Sequence, residues 1–320
     1  MQALVWHGGR NLAVEDLPEP EPRDGEVVLD VGLAGICGSD LHPFKGHHGP
    51  RRPPLVLGHE VVGTVPDLPG RFSVFPLAVC GVCEHCRSGR ENLCESRQLL
   101  GLHRAGVFAA RVAVPRDALL EVPEEMSDSV AALAEPLAVC VSALAPADVG
   151  PGRRVLVVGC GPIGLLSVHL AAERGAEVLA VEPVEARRER AAALGAARVL
   201  TDAAEARGFD ADVAIDAVGA EATWRAAVAG TRTGGEIVIV GLAESDGGMP
   251  VAELVRRSLR VRGHFAYTRA EFAEALELLA EGRLATDWLE IMPLDEGAAA
   301  FSRLADAPDE IAKILLRPGS

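Results

Sequence analysis

Four of the seven cysteines crowd into Cys80-x2-Cys83-x2-Cys86-x7-Cys94. Four thiolates at this spacing can surround Zn²⁺ tetrahedrally and close its shell to water, which is structural rather than catalytic chemistry. A redox dithiol would use two of them and leave the third and fourth without a role. An odd cysteine count with this crowding points to reduced thiols or a metal rather than a secreted disulfide framework. A nucleic-acid-reading zinc ribbon would use a similar cluster. With 31 Lys+Arg against 46 Asp+Glu, however, the net charge is −15. A field of that sign repels phosphate backbones and anionic membrane surfaces, so nucleic acid and membrane are excluded as main partners.

A second pattern is Gly159-Cys160-Gly161-Pro162-Ile163-Gly164, a G-x-G-x-x-G. It stands between an apolar run at 155–158 and a stretch of helical character. The first glycine suits a tight turn, the second lets backbone approach a pyrophosphate, and the third permits close helix–strand packing. Glu182 closes the next apolar run, where a carboxylate would accept from ribose hydroxyls and repel a 2′-phosphate. This favours NAD over NADP, and Arg187 and Arg188 just beyond soften the preference. Residues 155–172 lack a formal charge, but Gly159, Gly161, Pro162 and Gly164 mark a strand–turn–helix rather than a membrane span. The start of the chain carries no signal-peptide pattern, and a cytoplasmic protein is expected. Cys160 reads as a small buried residue.

A third set is dispersed: Cys37 in Gly35-Ile36-Cys37-Gly38-Ser39-Asp40, then His59 and Glu60. Spacing cannot assign such residues. By residue type alone, Cys37 reads as a buried thiol and His59 as a core histidine.

These groups need elements to position them. Up to about residue 140 the chain shows short apolar runs cut by Gly and Pro, at 26–31, 61–65 and 109–114, which predict a compact β-rich domain. Strand and helix patterns then alternate. Strands are predicted at 155–158, 177–181, 212–216 and 237–240, and helices at 162–174 and 184–194, as in βαβ units around a parallel sheet. Helices near 269–281 and 295–304 and a strand at 311–316 close the chain. The fold class is α/β.

Taken together, Gly35-Ile36-Cys37-Gly38-Ser39-Asp40-Leu41-His42, Gly58-His59-Glu60, the four-cysteine lobe, Ala134-Glu135-Pro136-Leu137 and the glycine fingerprint resemble the medium-chain zinc-dependent alcohol dehydrogenases, most closely the polyol (sorbitol-type) dehydrogenase branch. The resemblance implies a GroES-like catalytic domain at 1–137 with a structural-zinc lobe at 80–94. It implies an inserted Rossmann domain at 138–264 and a return to the catalytic domain at 265–320. It also implies a catalytic zinc on Cys37, His59 and a carboxylate, Glu60 or Glu135, with Asp40 orienting the histidine. Cys80, Cys83, Cys86 and Cys94 would hold a second, structural zinc. Ser39 and His42 would relay the alcohol proton. The expected cofactor set is Gly159, Gly161, Pro162, Ile163, Gly164, Glu182, Arg187, Val218 and Val240. The implied activity is NAD-dependent oxidation of a secondary alcohol of polyol, sugar or cyclitol type by a homodimer or homotetramer. A reductase of less polar aldehydes or ketones and a silent zinc- and NAD-binding scaffold or sensor are the alternatives.

Two departures stand out. The segment between Gly63 and Cys80 is short, which predicts a trimmed hairpin. Gly263-His264-Phe265-Ala266-Tyr267 lacks the arginine of the branch pattern Gly-x-Phe-Arg-Tyr and so lacks a donor for substrate or water. His47 and His48 read as loop residues in a Gly/Pro-rich segment.

Overall fold

The computed structural model describes residues 1–47, 49–307 and 312–319. The chain forms two compact units, Met1–Pro136 with Thr268–Ser320, and Leu137–Tyr267. The second unit closes at Tyr267 rather than at 264. The His264 N–H bonds the Ile239 carbonyl at 2.9 Å and Tyr267 is buried, so the residues after the last strand stay with that sheet. No helix among the described residues is long and apolar enough to cross a membrane.

The first unit is β-rich, as its short apolar runs predict. Its main sheet runs Leu119–Val122, Arg71–Val74, Glu60–Thr64, Glu26–Gly35, Lys313–Arg317 and Leu289–Pro293, with Arg111–Pro115 also paired to Glu26–Gly35. Register decides what meets at one end of that sheet. Gly35 lies opposite Glu60 on one side and Leu315 on the other. The Ile36 N–H bonds the Ile314 carbonyl at 3.0 Å. The start of Glu60–Thr64, the end of Glu26–Gly35 and the start of Lys313–Arg317 therefore converge. The last strand was expected at 311–316; it spans Lys313–Arg317, and Ile311 lies outside the described residues. Residues 65–70 join Glu60–Thr64 to Arg71–Val74, an antiparallel pair with Val62 opposite Ser73, so the short segment forms a tight hairpin.

Gly38–Phe44 is a short helix directly after this convergence. Its last residue, Phe44, packs on Phe301 at 5.6 Å between ring centroids, and Phe108 meets Phe301 edge-on at 5.8 Å. Buried aromatics thus anchor the helix that carries Ser39, Asp40 and His42.

The second unit is a six-stranded parallel sheet. Across it the strands run Arg198–Leu200, Glu177–Val181, Arg154–Val158, Ala211–Asp216, Thr231–Ile239, Arg260–Gly263. In chain order this is 3-2-1-4-5-6, the doubly wound order of dinucleotide-binding sheets. The apolar runs read from sequence are its central strands. The outer strands, Arg198–Leu200 and Arg260–Gly263, escaped that reading because edge positions need no apolar run. Helix Pro162–Glu173 starts directly after the fingerprint and buries Leu165, Leu166, Val168, Leu170 and Ala171.

The glycines of that turn differ in what demands them. Gly159 sits at φ +88, and a Cβ there would come within 2.3 Å of Val218. At Gly164 a Cβ would lie 1.8 Å from the Gly159 carbonyl oxygen, so helix and turn touch there only through a bare Cα. Gly161 faces open space at φ −69, and nothing in the protein requires glycine there. Gly164→Ala is expected to cost about 3 kcal/mol by overpacking, read as a lowered urea midpoint, whereas Gly161→Ala leaves the midpoint unchanged.

Candidate metal centres and nucleotide edge

At the convergence in the first unit, Cys37, His59 and Glu60 bring one ligand atom each to within 4.8 Å of one another. Asp40, fully buried in the first turn of Gly38–Phe44, stands behind His59, its Oδ1 3.7 Å from His59 Nδ1. Asp40 also accepts from the Cys37 N–H at 3.1 Å and the Gly58 N–H at 3.3 Å, tying both ligand-bearing loops to one carboxylate. His59 bonds the Cys37 side chain while its Nδ1 has no hydrogen-bond partner. Nε2 therefore faces the cluster, and Nδ1 faces Asp40 at ion-pair rather than hydrogen-bond distance.

The electrostatics of this pocket call for a cation. Burial by itself would lower the His59 pKa, but Asp40, Cys37 and Glu135 outweigh it and hold the pKa up at about 10. Negative groups thus converge on this ring, and a divalent ion bound there would compete with its proton. Buried Glu135, in the first turn of helix Ala134–Leu144, acts on His59 and Lys313 through its charge but stands outside the three-atom cluster. The donor set of thiolate, imidazole and carboxylate suits zinc.

Sequence reasoning missed Lys313. It is fully buried, and its Nζ donates to Glu60 Oε1 at 2.6 Å. Burial works against its charge, but Glu60, Cys37 and Glu135 hold its pKa above the ordinary lysine value. The strand meets Glu60 this closely because Gly35 has no side chain; a Cβ there would lie 2.0 Å from Glu60 Oε2. Glu60, expected as a ligand, is thus shared between the cluster and an ammonium group. A signal did exist. Lys313 is one of two lysines beside 29 arginines, set within Ile311-Ala312-Lys313-Ile314-Leu315-Leu316.

Ser39 and His42, one helical turn apart, share a face of Gly38–Phe44 and are half-buried. Burial and then the charges of Arg51, His47 and Lys45 lower the His42 pKa below its ordinary value, so its ring is neutral at pH 7. His47 is exposed just after the helix; His48 lies outside the described residues.

The four cysteines of 80–94 form the second cluster. Sγ of Cys80 lies 3.9 Å from that of Cys86 and 3.6 Å from that of Cys94. Tetrahedral Zn–S bonds of about 2.3 Å imply sulfur separations of about 3.8 Å, so the geometry fits a closed zinc shell and no disulfide. N–H groups of Val82 and Cys83 and the Cys94 thiol lower the Cys80 pKa to about 6. Burial and the neighbouring sulfurs push Cys86 up to about 12.

In the second unit, Gly159, Gly161, Pro162, Ile163 and Gly164 lie at the carboxyl end of Arg154–Val158 and the N-terminus of Pro162–Glu173. Val218 and Val240 follow the two neighbouring strands at the same edge, beside the topological switch point. Glu182 is buried, and its carboxylate accepts from the N–H groups of Cys160 at 2.7 Å and Val184 at 3.0 Å, folding its strand end over the glycine turn. Arg187 is half-buried on helix Glu185–Ala193 and acts on Cys160 through its charge. Burial and Glu182 nevertheless push the Cys160 thiol up to about 12, so it stays protonated and inert. Gly161 leaves open space at a helix N-terminus, where a phosphate group would be accommodated.

Comparisons with known proteins agree with this chemistry. The family described as alcohol dehydrogenase GroES-like domain matches residues 23–124, and that described as zinc-binding dehydrogenase matches 162–281. A sorbitol dehydrogenase of Bacillus subtilis is 32% identical over 347 residues, covering 99% of this chain and 97% of its own. An L-galactonate-5-dehydrogenase of Escherichia coli is 32% identical, covering 90% of each chain. Among solved structures, a zinc-binding dehydrogenase of Sinorhizobium meliloti bound to NADP superposes with a TM-score of 0.90 at 31% identity, over 99% of each chain.

Lys313→Met removes the buried counter-charge of Glu60. The metal-free chain is expected to lose about 3–5 kcal/mol of stability, and added zinc to recover part of it by neutralising the same carboxylates. Urea melts with and without zinc measure both effects.

Proposed function

We propose, from the premise that this chain belongs to the medium-chain zinc-dependent alcohol dehydrogenase family and its polyol branch, that it oxidises a secondary alcohol of polyol, sugar or cyclitol type to the ketone with reduction of NAD. The observation that carries this reading is the convergence of Cys37, His59 and Glu60, whose ligand atoms lie within 4.8 Å of one another beside buried Asp40. When bound, the metal supplies a Lewis acid for the hydroxyl oxygen and the nicotinamide supplies the hydride acceptor.

The chain's own residues supply placement and proton handling. Cys37, His59 and a carboxylate hold the metal, and Asp40 keeps the His59 ring oriented. Lys313 holds Glu60 by an ion pair, and Glu135 is the other carboxylate whose charge acts on His59. Ser39 takes the hydroxyl proton and His42 passes it to solvent; a neutral His42 is the form able to accept it. Cys80, Cys83, Cys86 and Cys94 hold a structural zinc. The turn at Gly159–Gly164 receives the pyrophosphate, with Ile163, Val218, Val240 and Arg187 around it.

Glu182 supports NAD over NADP, since a buried carboxylate beside the ribose position repels a 2′-phosphate. Both of its oxygens already accept backbone N–H groups, so the discrimination comes more from charge than from a dedicated ribose contact. Relatives that act on sorbitol and L-galactonate support a polyhydroxylated substrate. Ala266, in place of the branch arginine, offers no side-chain donor, which supports a substrate other than sorbitol itself. Exposed Val251, Val255 and Val261, near or on the edge strand Arg260–Gly263, support a homodimer or homotetramer. Seven free cysteines support a reducing, cytoplasmic setting.

Two outcomes test the proposal. An alcohol panel followed by NADH absorbance is expected to give highest kcat/KM with polyols and NAD. Metal analysis is expected to find about two zinc ions per chain, falling to one, with loss of turnover, in Cys37→Ser. Equal activity of Cys37→Ser, or preference for apolar aldehydes, refutes it. His42→Gln is expected to lower kcat/KM for oxidation about tenfold to a hundredfold at pH 7, with the deficit narrowing as pH rises and hydroxide replaces the lost acceptor. In the intact enzyme this limb falls only below pH 6.5, since the His42 pKa is depressed.

A further inference from the structure

The first unit carries a second polar group that the reaction above does not use. A cleft of about 660 Å³ lies between the segment with Pro50 and Arg52 and the segment from Glu95 to His103. Arg52, Arg97 and His103 line it against one carboxylate, Glu95, among the described residues. This wall is basic in a chain whose net charge is −15.

The donors of Arg52 and His103 are placed but not exhausted. One nitrogen of the exposed Arg52 guanidinium donates to the carbonyls of Gly49 at 3.3 Å and Arg51 at 3.0 Å, and the group has five N–H donors in all. One Arg97 nitrogen donates to the Cys94 carbonyl at 3.0 Å, fixing that side chain to the cysteine lobe. His103 Nδ1 accepts the Leu99 N–H at 3.0 Å, so the neutral ring carries its proton on Nε2 and offers a donor. Burial, then the charges of Arg97 and Arg51, lower the His103 pKa, which independently records cations crowding this wall.

The cleft is also linked to the metal centre. Buried Arg51 donates from Nε to the Gly101 carbonyl at 3.1 Å, and its Nη2 lies 3.8 Å from Asp40 Oδ1, the carboxylate behind His59. Arg52 and Leu102, on the two sides of the cleft, directly follow Arg51 and Gly101 in sequence. Forked guanidinium donors with an imidazole N–H, between the apolar surfaces of Pro50 and Leu102, match the planar or tetrahedral oxygens of a small anion.

We infer that this cleft binds a phosphate or carboxylate group, carried either by a free ion or by the charged end of the substrate. Only the second source rests on the function proposed above. The zinc-loaded enzyme, prepared in chloride, is titrated with inorganic phosphate by calorimetry at constant ionic strength. Saturable binding is expected, weakened about tenfold in Arg52→Gln, equivalent to ~1.4 kcal/mol, and largely retained in Arg52→Lys. In parallel, kcat/KM is compared for a neutral polyol and its phosphate monoester. If the substrate carries the group, Arg52→Gln lowers kcat/KM for the ester alone, and free phosphate competes with the ester alone. If a free ion is bound, phosphate affinity falls in the variant while the ratio of the two kcat/KM values is unchanged. No saturable phosphate binding, or equal affinity in the wild type, Arg52→Gln and Arg97→Gln, overturns the inference. Phosphate binding with no turnover of any alcohol counts against the proposed function and leaves this site standing.

Discussion

The buried ion pair between Lys313 and Glu60 is the constraint around which the first unit is arranged. Two full charges out of water are tolerated only with close mutual contact and compensating neighbours. That contact exists because three strands end together and the middle one ends in Gly35, whose missing side chain leaves the carboxylate its place. The same convergence carries Cys37 and His59 into reach of Glu60. Fold and metal chemistry therefore share one register.

Charge balance explains the division of labour among the acids. Cys37, Asp40, Glu60 and Glu135 lie around His59 and Lys313. Asp40 accepts from two backbone N–H groups and faces the His59 ring. Glu60 is held by an ammonium group. Glu135 supports the charge of both His59 and Lys313. Buried Arg51 shares in this balance, its Nη2 3.8 Å from Asp40 Oδ1, and a divalent ion held by Cys37 and His59 would displace the His59 proton.

The second unit follows a different rule. Its glycine turn is dictated by packing at Gly159 and Gly164, whereas Gly161 faces open space. Glu182 serves both ends, bonding the turn from within while setting the charge at the switch-point edge. The tight hairpin at 65–70 and the basic cleft near Arg52 lie in the first unit, and the segment at 263–267 that departs from the branch pattern lies in the second.

The sequence alone determined what local spacing can encode. The four-cysteine lobe, the glycine fingerprint with its flanking strand and helix, and the alternation that makes a parallel sheet were all legible, because their parts lie within a turn or a βαβ unit of each other. The outer strands of that sheet were not, since an edge strand is half solvated and carries no apolar run. Cys37, His59 and Glu60 became a candidate centre only through a family resemblance, because nothing in their separation in the chain encodes proximity. Only the tertiary structure decided that Lys313, some 250 residues further on, closes against Glu60. Strand pairing joins residues by register rather than by sequence distance, so a partner contributed from the far end of the chain leaves in the sequence little more than a lone charge in an apolar strand.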